Sequence, residues 1–68
     1  MKRGDLISVV SESTRFMDFC ATRMFLLERG AFGLVLKERN TYCEVVFGEG
    51  KVLMIPRGES TVEVVEST

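Results

Sequence analysis

Short apolar-rich runs bounded by turn residues recur along this chain, and every second position within them can be turned to one buried face, the pattern of strands. Leu6 to Val10 is the first such run, LISVV, rich in β-branched residues and preceded by Gly-Asp. Gly33 to Arg39 and Tyr42 to Phe47 are the second and third, joined through RNT at 39–41, where Asn40 tolerates the positive φ of a tight hairpin turn. After the short turn GEG at 48–50 comes a fourth run, KVLMI at 51–55, ended by Pro56, which cannot donate to a ladder. PRGES, beginning at Pro56, is long enough for one turn of 3₁₀ helix, and TVEVVE at 61–66 is the last strand.

Five short strands, two tight hairpins and a helical turn before the last strand predict one all-β domain over residues 1–68. The order is that of an SH3-like five-stranded small barrel with a long apolar first loop. Gly30 and Gly33 then have separate tasks: Gly30 lets the chain turn, and Gly33 gives close backbone approach or a bulge at a barrel corner. The alternation nominates Ile7, Val9, Val35, Cys43, Val45, Phe47, Val52, Met54, Val62 and Val64 as core. Residues 11–29 are ambiguous. Polar positions 15, 18, 22 and 29 fall at helical spacing with Gly30 as a C-cap, but Phe25 interrupts that stripe. A bent hairpin with Met24–Leu27 extended is the preferred reading, and a short helix within 14–29 is the alternative.

Composition narrows what such a domain can do. The chain has 68 residues, and a domain of this size buries only roughly 60% of its unfolded surface, leaving no room for a deep cleft. Nine basic and ten acidic side chains are interspersed, with no basic block to neutralise a phosphate backbone. There is no histidine, so the commonest general base and every Ser-His or Cys-His pairing are excluded. Asp5 after Gly4 reads as an acceptor at a turn or ladder end. The glutamates at 44, 49, 59, 63 and 66 read as solvated strand faces and turns rather than a metal cluster. Gly48–Gly50 is too short for a phosphate cradle and lacks a following helix. No catalytic group, cofactor, metal or small-molecule substrate is expected.

Cys20 and Cys43 cannot supply the four ligands of a zinc site, and both are expected to be reduced, packed thiols. Met1, Lys2 and Arg3 lead straight into Gly-Asp with no apolar stretch behind them, so no secretory leader is expected. No uninterrupted run of apolar side chains exceeds four residues, as in Met24 to Leu27, too short to span a membrane. The expected compartment is the cytoplasm, or a host cytoplasm or virion for a viral product.

RGAFGLVLKE resembles the KOW motif, in which a basic residue and glycine are followed three positions later by glycine and then x-Val. KRGDLISVV resembles the strand preceding that motif, and TVEVVE the closing strand. Together the three stretches cover 25 of the 68 residues, a little over a third of the chain. The resemblance implies roles in the turn and strand for Arg29, Gly30, Gly33 and Val35, and contact with RNA or with protein partners of the transcription and translation machinery. On that reading Arg29, Lys37, Arg39, Lys51 and Arg57 are the candidate nucleic-acid contacts. Barrels of this kind and length are also docking subunits of photosystem I and of ferredoxin–thioredoxin reductase, and the pattern looks like that of small tailed-phage reading frames.

The distribution of aromatic residues points to protein contact instead. Phe16, Phe19, Phe25 and Phe32 fall within 17 residues, beside Met17, Met24, Leu26 and Leu27. One reading folds this loop over an open barrel end to complete the core. The other, preferred here, leaves part of it exposed until another chain covers it, because phenylalanine and methionine are enriched at protein interfaces. Phe16, Met17, Phe19, Met24, Phe25, Leu26 and Phe32 are therefore the candidate interface, for a homo-oligomer or for an accessory subunit of a larger assembly.

Overall fold

The computed structural model describes residues 1–20 and 22–67, and the chain is all-β. Seven strands follow one another: β1 (Leu6–Val9), β2 (Ser13–Asp18), β3 (Met24–Glu28), β4 (Phe32–Glu38), β5 (Tyr42–Val46), β6 (Val52–Pro56) and β7 (Val62–Glu66). They form one antiparallel sheet in the order β3-β2-β6-β5-β4-β1-β7. Five of them are the runs anticipated from the sequence, with ends shifted by at most one residue. The other two, β2 and β3, form the hairpin preferred for the long first loop, with Met24–Leu27 extended; they pair into the sheet, so the count is seven rather than five, and the pairing runs from β3 to β7 without the closing ladder of a barrel. The helical alternative within 14–29 is overturned. Every residue from Ser13 to Met17 pairs with one from Met24 to Glu28, which uses the extended period-two faces of both.

The hairpin turn is held by Asp18. Its carboxylate accepts from the Thr22 amide at 2.9 Å, the Thr22 hydroxyl at 3.0 Å and the Arg23 amide at 3.4 Å, while its own amide donates to the Arg23 carbonyl. Asp5 caps the other end of the fold: its Oδ2 accepts from the Lys2 amide at 2.8 Å, and its carbonyl accepts from Val35.

Two turns differ from expectation. The 3₁₀ turn lies at Gly48–Gly50, not after Pro56, where a turn with Gly58 at φ 79° takes its place. Among the described residues the positive-φ position outside glycine is Glu49, at φ 66°, and not Asn40. The 39–41 connection is closed instead by the Arg39 amide on the Tyr42 carbonyl, which needs no left-handed residue at Asn40.

The core is Ile7, Val9, Phe16, Leu27, Val35, Cys43, Val45, Phe47, Leu53, Ile55 and Val62. On β6 the anticipated parity is reversed. Val52 and Met54 were expected inside, but Leu53 and Ile55 are fully buried, because Leu53 is the Cα partner of inward-facing Val45 and Ile55 of Cys43. Val64, near the end of the edge strand β7, is exposed rather than buried. Gly33 lies inside at the crowded centre. A Cβ built there would stand 2.6 Å from a Val45 methyl and 2.8 Å from the Phe47 ring, so the close-approach reading of this glycine holds. Gly30 serves the turn instead, at φ 92° with open space around it. Cys43 is buried and Cys20 exposed; both are free thiols, so the expected packing applies to Cys43 alone.

Candidate docking surface

In an antiparallel sheet with one wet face, buried residues should alternate with polar ones. β4 breaks this rule. Gly33 and Val35 point inward, yet Phe32, Leu34 and Leu36 on the opposite face are also apolar and remain 58%, 42% and 41% exposed. Strand register extends the feature sideways. Leu34 pairs with Leu6 on one side and Val46 on the other, and Val46 pairs with Val52. Directly paired residues share a face, so Val52, Val46, Leu34 and Leu6 form an apolar row across four neighbouring strands.

A second apolar cluster lies on the same sheet surface at the hairpin. Met17 pairs with both Met24 and Met54, and Arg15 pairs with Leu26. An open depression of about 390 Å³ sits here, lined by residues including Met17, Met24, Tyr42, Met54 and Pro56. The row next to it turns polar at Glu44, the partner of Met54, and at Lys37, the partner of Glu44. Charge thus separates the two apolar areas on β5 and β4, and they meet on β6, where Val52 and Met54 stand two residues apart on the outer face.

The candidate interface residues divide accordingly. Phe19, Met24, Leu26 and Phe32 are exposed, and Met17 is half-buried on the outer face. Phe16 belongs to the core, which its position opposite Phe25 and beside Leu27 requires, and so leaves the surface set. Phe25 packs partly against the core, with the Arg23 guanidinium 5.3 Å and the Lys51 ammonium 5.1 Å from its ring centre. That arrangement fastens the hairpin to the 48–50 turn. Both readings of the aromatic segment are thereby partly realised: one side of the hairpin completes the core and the other faces solvent. The row through Leu6, Leu34, Val46 and Val52 was not anticipated. Its signal was present in GLVL at 33–36, which is continuously apolar where a half-buried strand should alternate.

The candidate nucleic-acid contacts do not gather into one basic face. Arg39 pairs with Glu44 at 2.8 Å, Arg57 with Glu38 at 3.5 Å and Lys51 with Glu49 at 3.7 Å. The hydrogen bond and charge of Glu44 raise the Arg39 pKa above its ordinary value. Arg57 also donates to the Arg39 carbonyl, whereas Lys51 lies beside the Gly48–Gly50 turn with Phe25, and Arg29 follows β3. Among the described residues no three His, Cys, Asp or Glu side chains converge as a metal site, and no helix is long and apolar enough to cross a membrane. No family model, curated protein or solved structure matches the chain.

Proposed function

We propose that this chain is a small non-catalytic interaction module that works by protein–protein contact, either by self-association or as an accessory subunit. The observation that carries the reading is the outer face of β4. Three large apolar side chains stand exposed there, continuous through strand register with Leu6, Val46 and Val52. Apolar patches beyond a few hundred Å² are rare on monomers, and they mark interaction sites. A kinship with SH3-like barrels of the KOW type is compatible with this. The Thr61 hydroxyl lies 3.3 Å from that of Thr14, bringing the start of β7 beside β2 as a curled sheet would. RNA contact draws less support, since carboxylates already engage Arg39, Lys51 and Arg57. A cytoplasmic location, in a cell or an infected host, suits such a module with a free exposed thiol at Cys20.

The test is size-exclusion chromatography with light scattering on the full chain at high micromolar concentration, alongside binding of a dye that reports exposed apolar surface. Self-association, or a monomer that binds the dye, is the expected result. A clean monomer that binds no dye would defeat the proposal.

A further inference from the structure

The two edges of the sheet are built differently. β7 carries Glu63 and Glu66 and a register shift against β1 between Leu6 and Ile7, and the depression along it is walled by Met1 and residues 57–59. β3 has no register shift and carries a single acidic residue, Glu28, at its end. It pairs with β2 through five consecutive partners without a shift, holds no proline, and runs Met24-Phe25-Leu26-Leu27 without a charge. Edge strands are ordinarily blunted by charge, proline, bulges or a covering segment, because their unpaired backbone is a template for another strand.

The ladder fixes which backbone groups of β3 face that edge. The Asp18 amide donates to the Arg23 carbonyl at 2.9 Å, and the Arg29 amide donates to the Glu12 carbonyl at 3.2 Å. Hydrogen-bonded pairs recur at every second residue of an antiparallel ladder, so positions 23, 25, 27 and 29 are the ones turned toward β2. The amides and carbonyls of Met24 and Leu26 and the amide of Glu28 therefore point away from β2, along the sheet edge, while the Glu28 carbonyl accepts from the Ala31 amide at 3.1 Å.

We infer that β3 pairs antiparallel with β3 of a second copy of this chain, Leu26 opposite Leu26, joining two sheets across a twofold axis. The inference rests on the protein-contact reading above and names its partner. A row of outward amides and carbonyls calls for an extended strand, not a helix or a small molecule. In this register positions 24, 26 and 28 of one copy meet 28, 26 and 24 of the other, so about four hydrogen bonds form between free groups and about two more share the Glu28 carbonyl with the Ala31 amide. The same register sets Phe25 of each copy beside Leu27 of the other. Leu27 borders an open depression of about 370 Å³ whose walls include Ala31, Phe32 and Phe47, leaving room there for an added ring. It also brings Arg23 opposite Arg29, a like-charge pair that salt screens, so pairing strengthens as ionic strength rises.

Amide hydrogen exchange on the full chain over a concentration series, with sedimentation measured in parallel, tests this pairing. Protection at Met24, Leu26 and Glu28 is expected to rise by about tenfold or more as the dimer forms, while Phe25 and Leu27 are protected already in the monomer. Leu26→Pro removes one outward amide and leaves the β2 ladder intact, and should raise the dissociation constant by about tenfold or more. If that variant does not fold, the exchange pattern of the parent decides alone. A chain that stays monomeric at high micromolar concentration, with the three amides unprotected, overturns the pairing, and dye binding then decides the broader reading separately. A dimer that leaves those amides unprotected, and that Leu34→Lys dissociates, overturns the β3 pairing but keeps protein contact through the outer face.

Discussion

The two faces of β4 are both apolar but stand in opposite environments. Inward, Gly33 and Val35 meet Val45 and Phe47 at distances that leave no space for one more carbon at position 33. Outward, Phe32, Leu34 and Leu36 meet solvent. The neighbouring strand β5 shows the ordinary arrangement, with Cys43 and Val45 inside while Glu44, between them on the outer face, binds Arg39. The difference separates two demands on sequence. The inner face is shaped by packing within the chain, where each methyl is felt. The outer face is not shaped in that way, and the proposed contact with another chain is what would account for it.

The largest expected effect is on the inner face. Leu53→Ala empties a fully buried position on β6 and should cost about 2–5 kcal/mol, comparable to the whole stability of a domain this size. Chemical denaturation should show the variant largely unfolded; a loss well under 1 kcal/mol would mean that the interior is not close-packed. Gly33→Val should come next, at about 1–3 kcal/mol from overpacking against Val45 and Phe47, lowering the melting temperature by roughly 5–20 °C. A variant melting at or above the parent would reject the close approach, because valine otherwise favours a strand.

Smaller effects belong to the turns. The Thr22 amide lowers the Asp18 pKa most; desolvation, next in size, opposes it, and the Thr22 hydroxyl, the Arg23 amide and the Arg23 charge lower it further, leaving it below its ordinary value. A carboxyl whose folded pKa lies below its unfolded value contributes fully above the unfolded value, and the contribution disappears as pH falls through the folded one. Asp18→Ala should therefore melt lower than the parent at neutral pH, and thermal melts across the acid range should converge. A gap that stays constant through the carboxylate range would show that ionisation of Asp18 is not involved. At Glu49, φ is 66°, a region costly for most side chains and easier for asparagine. Glu49→Asn should stabilise by about 0.5–1 kcal/mol, since the 3.7 Å ion pair it removes is exposed and contributes little. Loss of stability on calorimetry would contradict the strain.

What the sequence made legible follows the same division. The strands β1, β4, β5, β6 and β7 were readable because short apolar, β-branched-rich runs and turn residues act locally. The task of Gly33 was readable because a glycine inside a strand needs a neighbour too close for a side chain. The parity of β6 was not readable: VLMI is apolar at every position, and only its register against Cys43 and Val45 selects Leu53 and Ile55. The hairpin was half-legible, since MFLL has no alternation of its own and its two faces separate only once β2 lies alongside. The ion pairs of Arg39 and Arg57 depend on spatial neighbours and left no mark in the sequence beyond the number of nearby glutamates.

The central claim is that the outer face of β4 is a docking surface and not part of the monomer's own packing. Replacing Phe32, Leu34 and Leu36 together by serine, then measuring apolar-dye fluorescence and the melting temperature of dilute parent and variant, tests it most directly. The account predicts a parent that binds the dye, and a variant that loses most of that signal yet melts within a few degrees of the parent, as surface substitutions do. A parent without dye binding, or a variant that melts far lower, would contradict it.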